Sequence, residues 1–300
     1  MERSTGTLQS NKRKKQVWAL LFVAPTILLI LILNVWPIIQ SIWYSFNDVK
    51  GLGKPTWVGM ANYFQAFHDP ALLKALWNTA LYTIVTVPVG TILSLVVAVF
   101  LNSKIKGKTF FRVIYFIPVV SAPVAVSMVW KWLYNGQYGL INYFLSFFGV
   151  KGPDWIGDPK FALWSIMIVG IWSIIGYNMV ILLGGLQDIP KTYYEAAEID
   201  GAGPITKFFK VTIPLVSPTL FFVVITTFIG ALQVFDYILM MLGTSPALQN
   251  SKSIVYLFYQ YTFVNNNKGY GASIAIILLV IILILTLIQM KLQKKWVHYK

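Results

Sequence analysis

The chain has 300 residues, of which 57% are hydrophobic and only 11% charged, and its mean hydropathy is +0.68. An ordinary globular domain carries about 25% charged residues, so these values exclude a cytosolic enzyme, a disordered chain and a nucleic-acid-binding domain. The absence of cysteine removes disulfides and thiol chemistry, two histidines far apart (His68 and His298) make no metal site, and the formal net charge of +14 has to be explained by where the charges sit.

A helix needs about 20 mostly apolar residues to cross roughly 30 Å of hydrocarbon. Six stretches meet that requirement. Residues 1–16 form a basic lead-in, with Lys12, Arg13, Lys14 and Lys15 ahead of the first stretch, 17–37, which holds no charge. A signal peptide also has a basic lead and an apolar run, but this run is too long for one and no A-x-A-like site follows it, so it reads as an uncleaved span. The second stretch, 76–101, is free of charge. The third, 110–132, has Arg112 near one end and Lys131 near the other. The fourth, 161–186, is uncharged, the fifth, 213–241, contains only Asp236, and the sixth is 270–290. The predicted fold class is an all-α membrane protein of six transmembrane helices with short interfacial helices. It comprises a first helix at 17–37, a core of five helices within 70–291 and a tail at 292–300.

Lysine and arginine are enriched in cytoplasmic loops. With the N-terminus inside, the segments 1–16, 102–112, 187–212 and 291–300 hold 5, 4, 3 and 4 basic residues, 16 of the chain's 24. Acidic residues split five and five, so the inside carries +11 and the remainder +3. The expectation is a multi-pass protein with both termini in the cytoplasm, whose positive charge is a topology signal. On the opposite side, 60–67, 140–150 and 254–263 are rich in Tyr, Phe and Trp. That suits interfacial belts and short surface helices among membrane lipid.

The loop at 190–214 is unlike the others. Pro190 suits the start of a helix, Thr192 is a candidate N-cap with Glu195 three residues on, and Tyr194, Ala197 and Glu198 share one helix face. Asp200-Gly201 breaks that helix, Pro204 permits a second short one through Lys210, and Pro214 is expected to start the fifth span. On physics alone this describes either a docking element or an ordinary interfacial helix with a glycine stop.

Glu195-Ala196-Ala197, Asp200-Gly201-Ala202, Phe208 and Ile213-Pro214 resemble the EAA signature of the binding-protein-dependent ABC importer permeases. Further stretches are similar to the carbohydrate branch of that family, to the first permease subunit of maltose, multiple-sugar and glycerol-phosphate importers. They are Trp57 to Tyr63, Ala75 to Thr79, Phe111 to Pro118, Trp130 to Tyr134 and Gly139 to Asn142. The resemblance runs from about residue 15 to the end, without the large outer insertion of the enterobacterial maltose permease. It implies the type I importer transmembrane fold in a bacterial cytoplasmic membrane. It also implies a second homologous permease subunit, two ABC ATPase subunits and an extracytoplasmic substrate-binding protein as partners. The coupling segment would be Tyr194, Glu195, Ala196, Ala197, Asp200, Gly201, Ala202 and Pro214. ATP and Mg would be bound by the ATPase subunits, because no G-x-x-x-x-G-K-[ST] occurs here. Gly51-Leu-Gly-Lys54-Pro55 echoes one with the wrong glycine spacing. No catalytic residue, cofactor or metal is expected in this chain.

Polar groups at membrane depth cost about 2.5–3.5 kcal/mol when charged and are candidates for a pathway. They are Trp172, Ser173, Tyr177 and Asn178 in the fourth span and Gln233, Asp236 and Tyr237 in the fifth, with Asp236 near its outer end. Trp172 and Tyr177 offer stacking faces, and Gln233 and Asp236 offer hydrogen bonds. Asp236 has Lys131 as an alternative, structural partner, and Thr226 and Thr227 read as helix–helix ties. Gly170, Gly184 and Gly185 suit close packing, and Pro118, Pro123, Pro214 and Pro218 suit bends. The competing expectations are a permease of the same superfamily for glycerol phosphate, an amino acid or a polyamine, and a self-contained secondary carrier.

Overall fold

The computed structural model describes residues 18–51, 53–103 and 106–298. The basic lead-in at 1–16 and Lys300 lie outside the described residues. The described chain forms two compact units: one of residues up to Ala66 with Tyr261–Ile276, the other of Phe67–Gln260 with the residues from Ile277 onward.

In the first unit, α1 (Trp18–Ser45) runs eight residues past the expected end. It contains a π turn, Leu31–Val35, in which the Trp36 N–H donates to Leu31 O just before Pro37. Proline has no N–H and its ring strikes the carbonyl four residues back; the wider π turn relieves that clash without ending the helix. Apolar side chains are exposed on every face of α1, as suits a helix in lipid. A two-stranded antiparallel hairpin follows, β1 (Asn47–Asp48) and β2 (Thr56–Trp57), with Asn47 opposite Trp57. From α2 (Ala61–His68), the buried Asn62 amide donates to Ser45 O at 2.9 Å and Asn47 O at 3.0 Å. It thereby satisfies one carbonyl at the end of α1 and one at the start of β1.

The second unit is built on α3 (Pro70–Asn102) and α7 (Ala162–Gln187). Asp69 caps α3 by accepting the Ala71 N–H at 2.8 Å, with Pro70 at the first helical position. At 33 residues α3 is about 50 Å long, longer than the apolar stretch predicted. Its hydroxyl stripe faces inward: Thr79, Thr83, Thr86 and Ser94 each donate to the carbonyl four residues back. These four buried hydroxyls are thus satisfied within their own helix, whereas the buried Thr91 hydroxyl has no partner among the described residues.

The third stretch is not one helix. It is α4 (Lys108–Val120) and α5 (Pro123–Leu133), bent by 103°. The break falls at Ser121 and Ala122, which are extended (ψ 137° and 135°). The physical reason is Pro123, which disfavours the α conformation in the residue before it and is well placed to begin a new helix. Three short helices take up the aromatic segments: α2, α6 (Leu140–Ser146) and, later, α12 (Ile254–Val264).

Next come α8 (Lys191–Ile199) and α9 (Pro204–Leu232). The expected short helix and fifth span are one helix. A second π turn, Phe208–Thr212, again sits directly ahead of a proline, Pro214, with the Ile213 N–H reaching Phe208 O. Pro214 therefore lies inside the helix rather than at its start. The chain continues through α10 (Asp236–Leu242), α11 (Leu248–Ser251), α12 and α13 (Lys268–Leu292). Among the described residues, five helices are long and apolar enough to cross a membrane, and the bent pair makes a sixth.

One buried cluster includes Tyr82, Ile166, Met167, Ile238 and Met241; another includes Leu101, Met179, Leu182, Val216 and Val223. Glycines set the helix crossings. A Cβ on Gly170 would strike the Tyr82 hydroxyl, on Gly185 the Thr219 side chain, and on Gly176 the Tyr115 carbonyl. Gly184, expected to act with Gly185, faces open space; one residue further round the helix it has no neighbour to approach.

Candidate functional sites: a cleft at two helix breaks and a surface hairpin

A cleft of about 460 Å³ opens within the second unit, between α3, α7, α9 and both helix breaks. The first break contributes Ser121 and Pro123. The second lies between α9 and α10: the fifth stretch, expected to run to 241, ends at Leu232, and Gln233, Val234 and Phe235 link it to α10. Backbone freed by such breaks needs other partners, and at membrane depth it is tolerated only where it is buried in protein or lines a cavity. Here the Ser253 hydroxyl donates to Val234 O at 2.6 Å and accepts the Tyr256 N–H, so one side chain both satisfies the break and caps α12. The segment carrying Ser253 is itself pinned to α3. The Asn78 amide donates to Asn250 O at 2.8 Å and Lys252 O at 3.0 Å, and the Ile254 N–H donates to Thr79. Burial lowers the pKa of the Lys252 amine from its ordinary value.

Tyr177, Asn178, Gln233, Asp236 and Tyr237 all line the cleft. Tyr177, Gln233 and Asp236 are exposed there. Asn178 is buried and donates to Thr227 Oγ1 at 2.9 Å, tying α7 to α9. Tyr237 donates to Ser173 Oγ at 2.9 Å. Gln233 Nε2 turns back to Ile229 O at 3.0 Å. Trp172 is not part of the lining: it packs edge-on against Trp130, ring centroids 5.5 Å apart. The cleft face of α7 carries Gly170, Ser173, Ile174 and Tyr177, and Trp172 sits about 100° round the helix from its neighbour Ser173. Asp236 forms no ion pair with Lys131 or with any other described residue. Thr226, expected as a tie, lines the cleft with its hydroxyl bonded to Phe222 O. Below Trp130, burial pushes the Tyr134 hydroxyl up to about 12, keeping it protonated as a donor to Ser165 O.

Sequence reasoning missed Tyr82, Thr86 and Ser121 in the lining. The signal was present for the first two. Asn78, Tyr82 and Thr86 recur every four residues in an uncharged stretch, which places them on one face.

The hairpin at 190–214 is the other candidate site. Helix α8 begins after Pro190, which stands at the N-cap without a side-chain bond, so Thr192 lies inside the helix and the Thr192–Glu195 capping box does not form. Proline's fixed φ of −59° starts the helix two residues earlier. At its other end the Ala202 N–H donates to Ala197 O at 2.8 Å and the Gly201 N–H to Glu198 O at 3.0 Å, with Gly201 at φ +75°. This is a Schellman cap, which needs a left-handed residue at the position of Gly201. The hairpin then folds back onto α9. Tyr194 OH lies 3.1 Å from Thr212 Oγ1 in the π turn, and Lys207 Nζ is 2.7 Å from Glu198. The opposite surface is open: Glu195 and Ala196 are exposed, Ile199 is 88% exposed and Ile205 75%.

A cleft carrying polar side chains, enclosed by apolar helices and framed by two broken ones, is the anatomy of a membrane permease. The chain belongs to the family of binding-protein-dependent transport system inner membrane components, whose pattern spans residues 63–298 and takes in both the cleft and the hairpin. It is 32% identical over 255 residues to a trehalose/maltose transport system permease protein of Thermococcus litoralis, covering 85% of this chain and 86% of that one. It is also 32% identical over 258 residues to a sulfoquinovosyl glycerol transport system permease protein of Agrobacterium fabrum, covering 85% and 83%. Among solved structures, a bacterial ABC transporter involved in the import of the acidic polysaccharide alginate matches it with a TM-score of 0.85. That match covers 96% of this chain and 98% of the other, at 20% identity, and shows a shared fold.

Proposed function

We propose that this chain is one permease subunit of an ATP-driven importer of a sugar or oligosaccharide. It would form half of the translocation pathway beside a second, homologous permease. The observation that carries the reading is the cleft at the two helix breaks, whose walls present tyrosine, threonine, asparagine and glutamine side chains to a solute. Such walls exchange hydrogen bonds with hydroxyl groups and offer ring faces to the C–H faces of a sugar. The sugar-transport relatives support the same class.

Two ABC ATPase subunits would bind ATP and Mg, and a substrate-binding protein would deliver the solute from outside. The hairpin is the docking element for an ATPase subunit. Glu195, Ala196 and Ala197 face or border its open surface, and Asp200, Gly201 and Ala202 terminate α8 sharply. Tyr194 fastens α8 to the turn ahead of Pro214, so a push on α8 is delivered to α9, which lines the cleft. Both termini and residues 190–214 lie in the cytoplasm in this reading, which the distribution of basic residues supports. Five lining residues are assigned to the pathway: Tyr177, Asn178, Gln233, Asp236 and Tyr237. Trp172 supports them through Trp130.

The test is purification of the tagged chain alone and after co-expression with the proteins encoded beside it. The chain alone should release no phosphate from ATP, and an ATPase and a second permease should co-purify. Robust ATPase activity of the isolated chain would overturn the reading.

A further inference from the structure

The cleft contains a charge pattern that bears on which solutes it admits. Its lining holds one carboxylate, Asp236, and no lysine, arginine or histidine. Asp236 is exposed to the cleft and forms no ion pair among the described residues. Every other polar group on the wall is a neutral hydroxyl or amide. The helix ends do not reverse this. At each break one helix ends and another begins on the cleft: α4 ends with its cap at Ser121 and α5 begins at Pro123, and α9 ends with its cap at Gln233 and α10 begins at Asp236. A helix end and a helix start each carry roughly half a unit charge, of opposite sign, so they offset one another at each break and leave the full charge of Asp236 dominant.

We infer that this half of the pathway is selective for uncharged polyhydroxylated solutes and rejects carboxylated, sulfonated and phosphorylated ones, with Asp236 as the specificity-determining residue. An anion entering the cleft gives up hydration, meets no cation to replace it and faces a like charge in a medium of lowered dielectric. A neutral sugar loses only hydroxyl–water bonds, which the accessible groups of Tyr177, Thr226, Gln233 and Tyr237 can replace. The inference rests on the sugar-permease reading and narrows it, setting neutral glycosides apart from glycerol phosphate and uronates.

The cleft's charge can be read without knowing the substrate, because the chain has no cysteine. Thr226→Cys places a thiol on the wall, and Gln233→Cys serves as a second position if the first does not assemble. In the assembled importer, the thiol is reacted with a trimethylammonium-ethyl and a sulfonatoethyl methanethiosulfonate, each rate divided by that of free mercaptoethanol. The cationic reagent should be favoured by about five-fold or more, a preference that Asp236→Asn removes and Asp236→Glu keeps. Equal normalised rates for the two reagents, or a preference unchanged in Asp236→Asn, would overturn the inference. Uptake of labelled trehalose, maltose and sn-glycerol 3-phosphate into vesicles separates the two levels. Glycerol phosphate carried as fast as the disaccharides refutes the selectivity and leaves a permease standing. If none of the three is carried, the sugar reading is undercut, while the thiol ratio still reports the charge.

Discussion

Substitution at Gly201 separates backbone conformation from contact in the proposed docking hairpin. Gly201 has φ +75°, and a Cβ built there meets nothing within 4 Å. The only obstacle to a side chain is therefore the left-handed conformation. It costs an alanine about 1–2 kcal/mol, a β-branched residue more, and asparagine or aspartate less. The cost falls on a helix of nine residues, shorter than the roughly 12–15 residues an isolated helix needs. It is also held by the Tyr194–Thr212 hydrogen bond, by packing of the Tyr194 ring on the buried cluster that includes Leu101 and Val216, and by the exposed Glu198–Lys207 pair, and a surface pair contributes at most about 1 kcal/mol. A loss of 1–2 kcal/mol changes the ratio of formed to frayed last turns by about 5- to 30-fold. In a reconstituted importer, uptake per ATP hydrolysed should fall in the order Gly, Asn, Ala, Val, at equal membrane abundance. Comparing Gly201→Asn with Gly201→Asp isolates the added charge. The reasoning is refuted if Gly201→Val transports like the parent, or if Gly201→Asn is as damaging as Gly201→Val.

Three further outcomes follow from the same geometry. Glu195→Lys reverses a charge on the open face of α8 and should abolish stimulation of ATPase activity by the loaded binding protein while insertion is unchanged; normal stimulation would remove Glu195 from the docking surface. For topology, Thr192→Cys and Asn265→Cys are labelled with an impermeant maleimide in intact cells. Only position 265 should react, and efficient labelling at 192 would reverse the orientation. Gly176→Ala forces a Cβ onto the Tyr115 carbonyl, a backbone atom that cannot swing aside. The crossing of α4 and α7 should loosen, with about 1–3 kcal/mol of overpacking cost read as a lower unfolding temperature. Gly184→Ala, in open space, should be silent, and equal effects at the two positions would contradict the packing assigned to them.

How much could be read in advance differed from element to element. The existence of the spans was legible because a run such as 76–101 or 161–186 contains no charge and can only be placed in lipid or deep in protein. The hairpin was legible because Asp200-Gly201 is a strong local stop and Gly201 takes the positive φ that the stop demands. Its start was misread. Thr192 and Glu195 have the spacing of a capping box, yet Pro190 imposes the backbone geometry first and Thr192 is left inside the helix.

The prolines mark the limit of sequence reasoning most clearly. Pro37, Pro118, Pro123 and Pro214 all announce a disturbance, but not which kind. At Pro37 and Pro214 a π turn absorbs the ring and the helix continues; at Pro123 the chain breaks and turns by 103°. The outcome depends on whether the freed backbone has somewhere to go, and at the break it lines the cleft. The same holds for Asp236. Its sequence position allowed either a partner in Lys131 or a place in a cavity, and the end of α9 at Leu232 puts it in the cleft with no ion pair among the described residues.

Composition and local pattern by themselves determined that the chain carries several stretches long and apolar enough to cross a membrane, and that 190–214 forms a short helix and a sharp turn. Those are properties of local transfer free energy and local backbone preference, and neighbours in sequence suffice to set them. The tertiary structure alone decided which polar residues share a cavity. A 100° step around α7 separates Trp172 from Ser173, and a bond from Ser253 holds the break that turns Asp236 inward. Such angles and partners are fixed by packing between segments as far apart as residues 78 and 252, and no local pattern encodes them.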